Sequence, residues 1–300
     1  MKTIKKFFVR NTSIVILTTA FLTSCKITYT SSKPQTKVQN EVVSNTNPLS
    51  AETSVLIDSI LQKGLDREAL YTLISDIKPI SSLSMYTFPI ANTDSLAYIS
   101  GKAFDEVENQ KYLDQIKNIQ DGFNQLNIPD LKFFVLPYKS NNKKEKNIQL
   151  YVARESAVNR VLREHKHFFG QFGWVEGVNP EILITANEYG FKYDRLRGFG
   201  YLFGYPSHAV DFYTEAEYSN EKKNEFVKRK FFQIPTYERE SGYFVYAYPD
   251  NYVPKKEVDS VLYHKSVEVL DHYKSIRHKF KNDDGSINAL KLIVSENFKK

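Results

Sequence analysis

Hydrophobic and polar residues follow a helical period over much of the chain beyond residue 50. In these stretches apolar residues recur three and four positions apart, which puts them on one face of an α-helix. The stretches are Val55–Lys63, Leu70–Ile77, Asp94–Leu126, Glu155–Phe169, Pro254–Phe280 and Ser286–Phe298. The pattern predicts a helix in each of them, with an interruption of the third near Gly101.

Residues that favour helix ends support this interpretation. Gly64 is suited to end the first helix, and Asp66 is suited to cap the second. Asn179–Pro180, followed by Gly190, combines a capping side chain, a first-turn proline and a terminal glycine, and predicts a further helix. Residues 80–92 carry no helical pattern and are predicted to be a loop or a short extended piece.

Two pairs of β-like runs interrupt the helical pattern. Leu131–Tyr138 and Asn147–Ala153 flank the polar loop Lys139–Lys146, and Phe231–Ile234 precedes Tyr243–Tyr248. Each pair predicts a β-hairpin. Hairpins separated by blocks of helices favour an α+β fold, because a doubly wound parallel sheet would need regular alternation of strands and helices.

The predicted fold is therefore α+β and helix-rich, with two β-hairpins that can share one antiparallel sheet. No internal repeat is visible, and about 250 residues are ample for one large hydrophobic core. We predict a single globular domain over residues 51–300.

The first residues have the composition of an export leader. Lys2, Lys5, Lys6 and Arg10 form a basic end, and Ser13–Leu22 form a short apolar stretch. The segment Leu22–Cys25 then resembles the lipobox of bacterial lipoproteins. This resemblance covers only about the first 25 residues; it implies removal of residues 1–24 and acylation of Cys25, as with palmitate.

Two other interpretations of the leader were weighed. A retained membrane-spanning helix needs about 20 apolar residues, and this run is shorter and contains several threonines. An ordinary secretory peptide needs no cysteine at its cleavage point, yet Cys25 is the only cysteine of the chain. A cysteine used for lipid attachment leaves no thiol for disulfides, catalysis or metal binding.

Residues 25–50 are rich in Ser, Thr, Asn and Gln and are predicted to form a flexible, lipidated tether. Lys26 and Ile27 follow the cysteine, without the aspartate that retains such proteins in the inner membrane of enterobacteria. The resemblance thus implies a cell-envelope protein on the outer membrane, facing the periplasm.

Charge argues against a nucleic-acid partner. The whole chain has a formal charge of +6, but the leader holds four basic residues and no acids, so residues 26–300 carry +2. The densest basic runs, Lys143–Lys146 and Lys228–Lys230, are short and are interpreted as solvated loop and strand-edge charges. A nucleic-acid site would need a concentrated basic face.

The most distinctive interior stretch is Arg195–Tyr213, in which two helices are predicted to meet at Gly204–Pro206. Gly198 and Gly200 lower helix propensity by roughly 1 kcal/mol each, so close helix packing is expected there. The stretch supplies a candidate pocket. Its residues are Arg195, Arg197, Tyr205, His208 and Asp211.

His208 and Asp211 lie three residues apart and share a helix face, where they can orient an imidazole or simply pair with each other. The arginines suit a carboxylate or phosphate ligand, but salt bridges to Glu188 or Asp194 would explain them equally well. His165 and His167 point apart on a helix, and no metal site is predicted.

The strand period puts Phe244, Tyr246 and Tyr248 on one face of the last predicted strand. Such a row can stack against sugar rings, but a sheet core that faces a helix explains it more simply.

The sequence contains no nucleophile elbow, zinc-protease, P-loop or calcium-loop motif. We therefore expect a membrane-anchored, non-enzymatic binding or structural module without cofactor, which recognises an envelope protein or a glycan. The alternative is a periplasmic, hydrolase-like enzyme with its site around Arg197, Tyr205, His208 and Asp211.

Overall fold

The predicted helices and hairpins form an α+β fold with two separate antiparallel sheets. A computed structural model describes residues 50–89, 106–138 and 145–298, and all of these lie in one compact unit. The predicted signal peptide and lipobox, and the predicted tether up to residue 49, lie outside the described residues, as does Gly101. The α+β class predicted from the sequence is confirmed.

The described helices are α1 (Ala51–Asp66), α2 (Leu70–Leu73), α3 (Glu106–Asn124), α4 (Glu155–Glu164), α5 (Lys166–Phe169), α6 (Pro180–Glu188), α7 (Lys192–Leu202), α8 (Ser207–Lys223), α9 (Val261–Arg277) and α10 (Ala289–Asn297). Short 3-10 turns cover Gly170–Phe172 and His278–Phe280, and a π-helical turn covers Lys256–Ser260. Within the described ranges, no helix carries an apolar run long enough to cross a bilayer.

The strands are β1 (Ile80–Pro89), β2 (Leu131–Tyr138), β3 (Glu145–Arg154), β4 (Arg229–Ile234) and β5 (Phe244–Pro249). The first sheet has the order β1-β3-β2, and the second consists of β4 and β5 alone. Both predicted hairpins are confirmed. The prediction that they share one sheet is wrong, because the remaining edge of β3 pairs with β1.

Strand β1 lies where the sequence predicted a loop or a short extended piece. It pairs with β3 from Ile80, opposite Ala153, to Pro89, opposite Glu145. A register shift between Ser82 and Ser84 breaks the two-residue alternation that would have identified the strand. Its stability comes from pairing with a strand some 60 residues further along the chain.

Two predicted helix boundaries are corrected. Helix α1 continues through Gly64 to Asp66, so Asp66 ends this helix and does not cap the next, for which Ala69 is the N-cap residue. Gly64 serves close packing, because a Cβ at this position would lie 2.6 Å from a methyl carbon of Leu83. The predicted helix over Glu155–Phe169 is broken at His165.

The three-stranded sheet is buried on both faces by helices. Leu150 and Val152 of β3 belong to a core that they share with α1, α9 and α10. Tyr151 and Ala153, on the opposite face, belong to a second core with α4, α6 and α7. The last six residues of β3 are all buried, as expected for a central strand between two layers.

Arg154, the last residue of β3, is 2% exposed and joins four segments of the fold. Its guanidinium donates to the carbonyl oxygens of Thr72, Leu73 and Ser75 at 2.6–3.1 Å. It also donates to Asp130 at 3.1 Å and to the side chain of Asn297 at 2.7 Å. Burial lowers the pKa of Arg154 and Asp130 opposes the shift, but the guanidinium remains charged.

Removing this guanidinium should destabilise the whole domain. We expect Arg154→Ala to lower the free energy of unfolding by about 3–5 kcal/mol, because the carbonyl groups of Thr72 and Ser75 lose the guanidinium as donor and Asp130 loses its cation. Urea denaturation followed by circular dichroism measures the change. Arg163→Ala is the control, because this exposed arginine has one ion pair to Glu176 and should cost less than about 1 kcal/mol.

Candidate functional site

A cleft of about 320 Å³ lies between helices α7 and α8 and the ribbon formed by β4 and β5. Its walls are mostly apolar and aromatic. They are formed by Leu196, Phe199, Gly200, Phe203, Tyr205, Ala209, Val210, Tyr213, Phe231, Val245, Tyr246 and Ala247. The volume is at the lower end of the range for small-molecule sites.

The β4–β5 ribbon buries one face and turns the other toward the cleft. Phe232 and Tyr246 are cross-strand partners, as are Ile234 and Phe244, and they contribute to the core that includes α1 and α9. Phe231 is opposite Ala247, so both belong to the other face, together with Val245 two residues earlier. This second face lies toward α7 and α8, and the cleft is the space left between them.

The corner between α7 and α8 depends on glycine, as the sequence predicted. A Cβ on Gly200 would lie 2.7 Å from Val210, so this glycine allows the two helices to pack closely beside the cleft. Gly204 has a φ of +78° and lies against the carbonyl oxygen of Ile77, where a Cβ would meet it at 2.7 Å. The corner therefore rests directly on the chain that enters β1.

Tyr205 forms the inner wall of the cleft. Its ring lies 6.0 Å from the rings of both Phe244 and Tyr246. Burial raises the pKa of its hydroxyl, so it is protonated at neutral pH. Among the predicted pocket residues, Tyr205 is the one that lines the cleft.

Behind this wall lies a buried lysine that the sequence analysis missed. Lys78 is 1% exposed; its Nζ is 4.6 Å from the ring centre of Phe244, 5.3 Å from that of Phe203 and 3.3 Å from a carboxylate oxygen of Glu68. Burial lowers the pKa of Lys78, and Glu68 opposes that shift. The aromatic faces and Glu68 together stabilise the amine away from water.

A second buried charge supports the cleft from the side of β5. Asp259, which is fully buried in the π-helical turn, accepts hydrogen bonds from Tyr246 Oη at 2.6 Å, Tyr252 Oη at 2.8 Å and the backbone N–H of Lys255 at 2.7 Å. Burial alone would raise the pKa of Asp259, but these three donors outweigh it and hold the pKa below the ordinary value. The carboxylate fixes Tyr246, which also lines the cleft.

His208 lies beside Asp259 rather than Asp211, without a hydrogen bond to its Nε2 among the described residues. Its Nε2 is 3.3 Å from Asp259 Oδ1, and its ring stacks on Tyr252 at 4.8 Å between centroids. Burial lowers the pKa of His208, and the negative charge of Asp259 offsets only part of the shift. The imidazole is therefore neutral at neutral pH, beside an ionised carboxylate.

The remaining predicted pocket residues have separate partners. Arg197 forms an ion pair with Asp211, and Arg195 lies 3.5 Å from Glu188. Arg197 and Asp211 thus lie together, His208 lies beside Asp259, and Tyr205 lines the cleft. The five side chains do not converge on one polar pocket.

The aromatic row of the last strand has the structural role that the simpler interpretation predicted. Phe244 is fully buried and Tyr246 is 4% exposed, so neither ring offers a platform to a sugar. Tyr248 is half-buried and lies 5.7 Å from the ring of Tyr252.

A wider polar groove of about 750 Å³ runs along α1 and the loop before α10. Its carboxylates already have partners. Asp58 accepts from the backbone of Leu290, Asp66 accepts from Tyr273, and Glu238 accepts from Arg67. These bonds attach α10, α9 and the β4–β5 loop to the first helices, so we assign the groove a structural role.

Metal-ligating side chains do not cluster in the part of the chain that the structure describes: it contains no group of three or more His, Cys, Asp or Glu residues arranged around a common point. The ring of His165 stacks on that of Tyr201, with 3.8 Å between the ring centres. The ring of His167 lies edge-on to that of His165, at 6.2 Å.

Comparisons with protein-family models, with curated proteins and with solved structures find no match to this chain.

The residues that define the cleft left only partial signals in the sequence. The stretch Arg195–Tyr213 was singled out, and it supplies eight of the twelve residues that line the cleft. Phe231 and Val245 lay in predicted strands, but their face could not be assigned without knowing which side the core covers. No sequence pattern identified Asp259, because the groups that donate hydrogen bonds to it come from β5 and from the loop that follows.

Stability should fall in acid because of His208. Burial holds its pKa below the ordinary 6.5 in the folded chain, so the unfolded chain takes up the proton first as the pH falls below 6.5. We expect the stability lost between about pH 7.5 and about pH 5.5 to be smaller in His208→Gln than in the wild type. Urea unfolding at each pH measures this; His264→Gln, at an exposed position of α9, should keep the wild-type dependence.

Proposed function

We propose that this chain is a membrane-anchored lipoprotein of the cell envelope that binds an apolar ligand in the cleft between α7, α8 and the β4–β5 ribbon. The anchor rests on the leader and the lipobox ending at Cys25. Binding rests on one observation: an open cleft with aromatic walls, which lies between helices α7 and α8 and one face of a ribbon whose other face is core.

A non-enzymatic role suits this cleft better than the alternative. A hydrolase-like site around Arg197, Tyr205, His208 and Asp211 would need these side chains to act together on one substrate. Arg197 and Asp211 instead neutralise each other, and His208 lies against Asp259. The apolar walls supply binding energy through burial of surface, at about 25 cal/mol per Å².

The support of the cleft is rigid, which favours ligand recognition. Tyr246 is fixed by its hydrogen bond to Asp259, and Gly200 holds α7 against α8. A preformed cleft binds with a smaller loss of conformational freedom than one that must order itself. The ligand we propose is therefore a small apolar group from an envelope lipid or from a partner molecule.

Replacing the lipobox cysteine should release the protein from the membrane. In a bacterial host, Cys25→Ser should abolish incorporation of labelled palmitate and move the protein from the detergent phase to the aqueous phase on phase partitioning. Each buried methylene contributes about 0.8 kcal/mol, so the loss of the acyl chains should be decisive. Ser24→Ala retains the cysteine and is the matched control; equal labelling of Cys25→Ser would contradict the anchor.

Filling the cleft should prevent binding. We expect Val245→Trp to weaken binding of phenylnaphthylamine, a neutral probe that fluoresces in apolar surroundings, on the order of tenfold or more, because the indole would occupy the cleft. The measurement uses the full chain carrying Cys25→Ser, so that no detergent is needed. Val175→Trp, at a position 65% exposed and outside the cleft, should bind the probe normally.

Thermal unfolding of each variant shows whether the added ring disturbs the fold. Phe231→Lys, a rim change at a position 55% exposed, provides a second test that does not crowd the interior. Normal probe binding by both folded cleft variants would refute the proposal.

A further inference from the structure

We infer that the ligand of this cleft is a single-chain carboxylate amphiphile of about ten carbons, whose chain lies in the cleft and whose carboxylate binds Arg229. This inference rests on the proposed function and adds the chemical class of the ligand. It is carried by the position of one guanidinium beside the exposed end of an apolar cavity.

The exposed end of the cleft is marked by Tyr213 and Phe231. Tyr213 is 38% exposed and Phe231 is 55% exposed, whereas Ala209 and Val210 at the inner end are buried. Arg229 precedes Phe231 by two residues in β4 and therefore lies on the same face of the ribbon. Its guanidinium carbon is 5.8 Å from the ring centre of Tyr213, which puts the charge next to the opening.

Arg229 is held in position but keeps hydrogen-bonding capacity. It also lies over the ring of Phe226, at 5.2 Å, and its side chain is 11% exposed. Within the described residues its hydrogen bonds are both long: 3.3 Å to the carbonyl oxygen of Val227 and 3.5 Å to Glu217. A guanidinium has five N–H donors in a planar fork that matches a carboxylate, so it can donate to a second anion.

The carboxylate nearest to Arg229 is not reserved for this guanidinium. Glu217 lies between Arg229 and Lys192, at 3.5 and 3.8 Å respectively. Glu221 is paired with Lys192 at 2.8 Å and with Lys222 at 3.1 Å. Glu217 is thus shared between two cations, and Glu221 between two others of which one is the same Lys192, so neither carboxylate is reserved for Arg229.

The size of the cleft limits the length of the chain. A methylene group is taken to occupy about as much space as a water molecule in the liquid, ~30 Å³. A cleft of about 320 Å³ then holds about ten carbon groups of an acyl chain. An acyl chain of this length would contact the aromatic walls along the cleft while its carboxylate stays beside Arg229. A longer chain could not keep its carboxylate beside Arg229 and its whole tail inside the cleft.

The test compares three probes of equal chain length: decanoate, decanol and decyltrimethylammonium. Calorimetric titration of the full chain carrying Cys25→Ser should give about tenfold tighter binding of decanoate than of decanol, or about 1.4 kcal/mol. The cationic probe should bind most weakly. In Arg229→Gln the advantage of decanoate should disappear while decanol binding is unchanged.

Lys230→Gln is the matched control, because it removes the same charge from the adjacent residue on the opposite face of β4, where Lys230 pairs with Asp250. It should leave decanoate binding as in the wild type. Arg229→Lys keeps the positive charge but lacks the planar guanidinium, so it should retain part of the preference for decanoate over decanol. This variant provides the test if Arg229→Gln does not fold.

The outcomes separate this inference from the proposed function. Equal binding of decanoate and decanol by the wild type would overturn the carboxylate ligand and leave the apolar cleft intact. An equal loss in Arg229→Gln and Lys230→Gln would also overturn it, since general charge would then explain the preference. Binding of none of the three probes would refute both proposals.

Discussion

The buried guanidinium of Arg154 is the interaction on which the rest of the fold depends. Helix α2 is a single turn whose last carbonyl groups have no continuing helix to satisfy them, and Arg154 donates to three carbonyls of this region. The same group meets Asp130 before β2 and Asn297 at the end of α10. A buried charge is costly unless its donors are satisfied, so the stability of the domain depends on all of these segments contacting Arg154.

Two further buried charges determine how the second sheet attaches to this core. Lys78 leads into β1 and lies against Phe244 of β5, and Asp259 holds Tyr246 from the other side. Between them they fix one face of the β4–β5 ribbon on the core. The opposite face is left to α7 and α8, whose close approach at Gly200 shapes a cavity and does not fill it.

The sequence revealed local structure better than tertiary arrangement. The helix after Asn179 and the two hairpins were predictable because capping groups and short loops act between neighbouring residues. Strand β1 was not, because its pairing with β3 is distant and its serines hide the alternation. The stretch from Arg195 to Tyr213 was singled out for its glycines, and these do allow close packing. The carboxylate beside His208, that of Asp259, lies some fifty residues further along the chain and leaves no pattern near the histidine.

The contacts of Asn297 determine when the fold can be completed. This amide is shared between Arg154, 143 residues earlier, and the carbonyl of Leu73, 224 residues earlier. During synthesis, Arg154 therefore cannot acquire this last ligand until more than a hundred further residues have been added. A chain cut short before residue 297 would leave the central sheet with a buried cation that lacks one of its acceptors, so the stability of the first sheet depends on the last helix.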